Sequence, residues 1–172
     1  MGKVPALRVG ETVLFESAVI LEYLDEVTPP SLHPSDPLQK ALNRAWIEFT
    51  SELFVDLYRM ALAGDREAFE ENLAAARKKL QRLETQLAEG PFFNGAGFSL
   101  VDAAIAPAFY RISLMDGILP LSLFDHLPKV QRWSSALLDR ESVRASVVPE
   151  FRDLFREYLA ADGGYLGSRI GS

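Results

Sequence analysis

Three stretches of helical periodicity dominate the chain. Leu42, Trp46, Phe49, Leu53, Leu57 and Met60 recur every three or four residues, which lines one face of a helix. Asp36-Pro37-Leu38-Gln39 opens that stretch with an acid at the N-cap, proline at the first helical position and glutamine at the third. Gly64 closes it, and Asp65 opens a second stretch with Phe69, Leu73, Ala76, Leu80, Leu83 and Leu87 on one face. Its opposite face is charged (Glu70, Glu71, Arg77, Lys78, Lys79, Arg82, Glu84), and Gly90-Pro91 ends it. The pair predicts two long antiparallel helices lying side by side. The charged face reads first as a solvated face with i,i+4 pairs and second as a partner surface.

The third stretch begins at Phe98-Ser99-Leu100-Val101-Asp102, where Ser99 and Asp102 have the spacing of a structural capping box. Ala103 to Met115 is apolar on nearly every side, so this helix is expected at the centre of a bundle. A lone carboxylate beside such a run invites a catalytic reading, but Ser99 gives Asp102 an evident structural partner. Pro107 falls inside the helix and predicts a kink. Two further amphipathic helices follow Pro128 (Val130, Trp133, Leu137) and Pro149 (Phe151, Leu154, Phe155, Tyr158, Leu159). Gly163-Gly164 ends the last one, and the tail to Ser172 reads as mobile.

The first 27 residues follow a different period. Val4 to Val9 and Thr12 to Phe15 read as two strands, and Gly10-Glu11 between them suits a type II′ turn. Glu16-Ser17 falls where the return strand gives way to a helix. A helix start offers unpaired N–H groups and partial positive charge, a Ser hydroxyl can help hold a carboxylate, and Glu can accept from an ammonium group. That turn therefore complements both ends of an amino-acid-like group. Taken singly, Pro5 also reads as a strand-edge proline and Glu16-Ser17 as a helix cap. Residues 28–36 contain three prolines and no periodicity, so they read as a linker. His33 in that linker, and His126, have no second ligand in view and are expected to face solvent.

In this order and at this spacing, Val4-Pro5, Glu16-Ser17, the proline-rich linker into a capped helix, and Ser99-x-x-Asp102 resemble the cytosolic glutathione S-transferases. The Glu16-Ser17-Ala18 and Glu22-Tyr23-Leu24-Asp25-Glu26 context is most similar to bacterial and omega-, zeta- or beta-like members. The resemblance implies a mostly α fold: an all-α C-terminal bundle over residues 37–172, a linker at 28–36, and a partial thioredoxin-like hairpin and helix at 1–27. It implies glutathione as co-substrate, with Lys3, Val4, Pro5, Glu16 and Ser17 as its binding residues, Pro5 in the cis form and Val4 as a backbone clamp. It also implies conjugation or reduction of an electrophilic small molecule held against the helical part, an activity expected to be impaired in these residues alone, and a homodimer. Trp46, Phe49, Phe109 and Tyr110 lie near that electrophile pocket in sequence, with core packing the first reading for each. No catalytic residue is assigned, because the activating Tyr, Ser or Cys of the family precedes the stretch that Lys3 begins, and Met1 therefore reads as a late start. The family also contains non-enzymatic interaction modules, which gives the alternative reading. An unrelated helical adaptor would leave the hairpin without a purpose.

Composition narrows these readings further. The 172 residues carry a net charge of −6, which speaks against nucleic acid and anionic membranes as partners. The absence of cysteine removes disulfides, a thiolate metal site and a catalytic thiol from these residues, and no metal is expected. There is no apolar run of membrane-spanning length, and Ala6 stands where a myristoylation motif has Ser or Thr. A cytoplasmic protein is the resulting expectation.

Overall fold

Local caps set where the helices start. The computed structural model describes residues 4–171. Strands β1 (Ala6–Val9) and β2 (Thr12–Phe15) lead into helix α1 (Ser17–Val27). Then come α2 (Pro37–Ala61), α3 (Arg66–Gln86), α4 (Leu100–Asp116), α5 (Pro128–Leu138), α6 (Glu141–Arg144) and α7 (Phe151–Asp162), with a 3-10 turn at Gly167–Arg169. The fold is mostly α, a helical bundle preceded by one small hairpin. The Asp36 carboxylate accepts from the Gln39 N–H at 2.9 Å, and Asp65 accepts from the Ala68 N–H at 2.9 Å. These acids satisfy amides that have no partner inside the helix. α5 is capped from a distance: Glu84 of α3 accepts from the Lys129 and Val130 amides at 3.0 and 2.8 Å.

The core lies between α2, α3, α4 and α5. Leu53 and Met60 of α2, Leu80 and Leu83 of α3, Ile105 and Phe109 of α4, and Trp133 and Leu137 of α5 are all fully buried. α4 is apolar on most sides because it lies inside this shell, with Pro107, Ser113 and Asp116 at its exposed positions. Asp102 is buried with it. Its Oδ2 accepts from the Ser99 N–H (2.7 Å) and Oγ (2.6 Å), and its Oδ1 from the Phe93 N–H (2.9 Å) and the Trp133 indole (2.6 Å). One carboxylate therefore ties the start of α4 to the turn before it and to α5.

Two stretches differ from the sequence pattern. In the first half of α2 the buried face is rotated: Leu42 is exposed, while Asn43, Ile47 and Thr50 are buried. The turn before α4 causes this, since Asn94 Nδ2 donates to Asn43 Oδ1 at 3.3 Å and Phe93 packs 5.8 Å from Trp46. The tail is the second correction, because it is packed. The Tyr165 N–H donates to the Ala63 carbonyl at 2.7 Å, Leu166 is fully buried, and the Tyr165 ring lies 5.0 Å from Phe69. Two glycines allow the approach: a Cβ would fall 2.7 Å from the Ala63 oxygen at Gly164 and 2.1 Å from the Leu159 oxygen at Gly167.

Replacing Asp102 by alanine would leave the Phe93 amide, the Trp133 indole and the Ser99 groups buried without an acceptor. The expected loss is about 3–5 kcal/mol, read as a fall in the urea midpoint with an unchanged slope.

Candidate functional site

The hairpin brings the sequence-expected residues together at one end. β1 and β2 pair antiparallel with Ala6 opposite Phe15 and Val9 opposite Thr12. Gly10 has φ 57° and Glu11 keeps a negative φ, the combination of a type II′ turn. The ladder ends at Ala6–Phe15, with Val4-Pro5 just before it and Glu16-Ser17 just after it. The Val4–Pro5 bond is cis, and so is Pro29–Pro30 in the linker. Val4, Pro5, Glu16 and Ser17 are all exposed, and Lys3 lies outside the described residues. The outer edge of β1 has no strand partner among the described residues.

The start of α1 has no side-chain cap. The first intrahelical bond runs from the Ile20 N–H to the Glu16 carbonyl at 3.0 Å, and no side chain accepts from the amides before it. The Ser17 hydroxyl therefore does not cap the helix, and no acid sits in the first turn. Glu16 holds φ 68° and ψ 119°, a conformation that costs a non-glycine residue about 1–3 kcal/mol. The result is a cluster of free amide donors at the positive end of a helix, with a carboxylate held beside it on a strained backbone.

α1 is anchored from its other side by groups the sequence did not reveal as partners. Glu22 accepts from Arg44 of α2 through Nε (3.0 Å) and Nη2 (2.6 Å), and from His33 Nε2 of the linker at 2.6 Å. The Arg44 hydrogen bonds above all, aided by His33, hold the Glu22 carboxyl at about 2 despite its partial burial. His33 is thus buried, against the sequence expectation of a solvent-facing ring, because a partner eleven residues away takes its Nε2. Asp25 closes the same junction by accepting from Ser31 Oγ and the Leu32 N–H, both at 2.6 Å. His126 is exposed.

Two hollows flank these elements. An open groove of about 440 Å³ runs between α1 and α2, lined by Ala18, Val19, Glu22, Arg44 and Glu48 among others. A smaller apolar cavity lies between α2, α4 and α7, and Arg111 is on its wall. Trp46, Phe49 and Phe109 line neither; they pack in or against the core, and Tyr110 meets Phe151 at 5.8 Å. Among the described residues no group of His, Cys, Asp or Glu is arranged to hold a metal ion, and no helix is long and apolar enough to cross a membrane.

Relatives give this arrangement a family. The glutathione S-transferase N-terminal domain model matches residues 1–26 and the C-terminal domain model matches residues 66–136. A probable glutathione S-transferase of Glycine max is 33% identical over 162 residues, covering 92% of this chain and 72% of that protein. The chain belongs to the glutathione S-transferase family. The crystal structure of glutathione transferase Omega 3C from Trametes versicolor superposes with a TM-score of 0.69 at 32% identity, covering 83% of this chain and 66% of that one. A theta class glutathione S-transferase from Xanthomonas axonopodis pv. citri, solved with glutathione bound, gives a TM-score of 0.68 at 26% identity, covering 84% and 72%. The chain spans roughly two thirds of the length of such relatives. Omega-type members are among them, in line with the context of Glu16 and Glu22.

The Glu22 anchor makes a pH prediction. Its folded pKa is depressed, so the stability it contributes is complete above its ordinary value of 4.5 and is lost as pH falls towards about 2. Urea midpoints are expected to drop between pH 5 and pH 3, and Glu22→Gln is expected to flatten that drop.

Proposed function

We propose that this chain contributes a glutathione-binding site at the end of its hairpin and that the protein conjugates or reduces a small electrophile. The observation that carries the reading is the uncapped start of α1 beside Glu16, in a chain of this family. The free amides of α1 and the Ser17 hydroxyl would take the γ-glutamyl carboxylate, where helix charge and N–H donors favour an anion. Glu16 would accept from the γ-glutamyl ammonium. Val4, at the open end of β1, would supply backbone hydrogen bonds to the cysteinyl unit, with Lys3 near the glycyl end. The residues fit the ligand because their polar groups at this end are exposed and, in the case of the amides, without an acceptor. Glutathione supplies the thiol, which attacks as thiolate an electrophile held against the helices. The protein's part is to orient the two reactants.

The same reading divides the chain into a glutathione-binding unit at 1–27, a linker at 28–36 and a helical domain from 37. It sets the protein in the cytoplasm, where glutathione is kept reduced. It also makes the protein a homodimer, with the groove between α1 and α2 and the open edge of β1 as surfaces another chain can cover.

Calorimetric titration with glutathione tests the site. Ser17→Ala is expected to weaken binding by about 1–3 kcal/mol, the range of hydrogen bonds to a charged group. Glu16→Gly removes the strained side chain, so it should weaken binding while leaving thermal stability unchanged or raised. Equal affinity in wild type and both variants would remove the site from the hairpin. Conjugation of an electrophile by the protein would favour the transferase reading over the interaction-module alternative. Sedimentation velocity is expected to report a dimer, and a monomer at all concentrations would defeat the oligomeric part.

A further inference from the structure

α1 has little apolar contact to fix its direction. It has 11 residues, below the length at which a helix holds itself in water. Ile20 is its one buried apolar residue, while Val19, Leu24 and Val27 are exposed. The groove of about 440 Å³ between α1 and α2 leaves the two helices apart along that side.

Polar groups bridge the gap. Arg44 donates to Glu22 through Nε at 3.0 Å and Nη2 at 2.6 Å, one bond to each carboxylate oxygen. Such a two-pronged contact fixes direction as well as distance, because the guanidinium and the carboxylate are both planar. Among the described residues Arg44 forms its ion pair with Glu22 alone, although Glu26 and Glu48 line the same groove. His33 Nε2 donates to the same carboxylate at 2.6 Å, and its side chain is 1% exposed. Its Nδ1 is buried without a partner among the described residues, so the bond to Glu22 is what orients the ring. The His33 N–H donates to Ser31 Oγ at 3.1 Å, and that hydroxyl donates to Asp25 at 2.6 Å. A loop of hydrogen bonds thus runs from α1 through the linker and back to α1, with Arg44 tying it to α2.

The clamp and the start of α1 act as two ends of a lever. At 1.5 Å per residue, Glu22 lies about 7.5 Å along the helix from Ser17. A tilt of α1 by about 10° around Glu22 would move the first-turn amides by about 1.3 Å, by the same geometry. Glu16 would turn with them, because its carbonyl accepts the first intrahelical bond from the Ile20 N–H. A displacement of that size spoils the alignment a hydrogen bond needs. We propose that Glu22, His33 and Arg44 are positioning residues for glutathione: the clamp sets the tilt of α1 and so aims its free amides and Glu16 at the γ-glutamyl unit. The inference rests on the glutathione site proposed above. It gives a binding consequence to side chains that never touch the ligand.

The test uses the full chain and two readouts: calorimetric titration with glutathione, and residual dipolar couplings of the Ser17, Ala18 and Val19 amides against those of α2. Both report on the folded protein, so a loss of stability alone moves neither. Arg44→Gln and His33→Leu are each expected to reorient the α1 amides. Each should weaken glutathione binding about tenfold, the size of one hydrogen bond lost at the ligand. His33→Gln, whose side-chain amide can still donate to Glu22, should keep both readouts near wild type. The losses from Glu22→Gln and Arg44→Gln should not add in the double variant, as for residues acting through one contact. Unchanged couplings in Arg44→Gln and His33→Leu would overturn the clamp, whatever glutathione does. Reoriented amides with unchanged affinity would overturn its tie to the ligand. A wild type that does not bind glutathione would remove the function proposed above and this use of the clamp with it, and the couplings distinguish that result from a failure of the clamp itself.

Discussion

The bundle depends on one buried negative charge being fully satisfied. A carboxylate with no access to water is tolerated only when donors surround it, and Asp102 has four. Those donors come from three places along the chain: the turn at Phe93, the start of α4 and the indole of Trp133. Their geometry cannot be met unless the turn, α4 and α5 are all in position, so the interaction specifies an arrangement as well as stabilising it. The buried rings follow from it: Trp133 is held by its N–H and packs 5.1 Å from Phe109 and 5.5 Å from Phe93. Around this point apolar burial supplies most of the driving force.

The hairpin end lives under a different regime. Its residues are exposed and its contacts few, and its place relative to α2 comes mainly from polar groups at the opposite side of α1. Glu22 joins that helix to α2 through Arg44 and to the linker through His33, while Asp25 fixes the linker's next turn. The anchoring and the proposed binding groups thus occupy different sides and ends of one short helix. The free amides at its start can remain unpaired because stability is provided elsewhere on it.

What the sequence made legible was local. Asp36, Asp65 and Ser99 each act within three or four residues, and the helices begin at them. The type II′ turn at Gly10 has the same character. The packing of α3 followed its periodicity closely, since Leu80 and Leu83 had no competing partner. What escaped was set by distant partners. His33 is buried with its Nε2 on the Glu22 carboxylate. Asn43 displaces Leu42 from the inner face because Asn94 reaches it from 51 positions away. Glu84 caps a helix that starts more than forty residues later. Nothing in the local pattern marks Arg111, whose guanidinium lies over the rings of Phe54 and Phe151. Of the candidate site, the sequence named the residues, and the structure adds that the first turn of α1 has no cap and that Glu16 holds a positive φ.

The glycines of the final turn extend their influence beyond their own position. At Gly167 a single added methyl would collide with the Leu159 carbonyl, and Leu159 forms part of the cavity floor beneath α7. The width of that hollow is therefore governed from a place that never touches its contents. Sequence drift at this tail would shift α7 against its seam with α2 and α4 while every wall residue stayed the same. Comparing lining residues alone between two such proteins would then miss a difference in the width of the hollow.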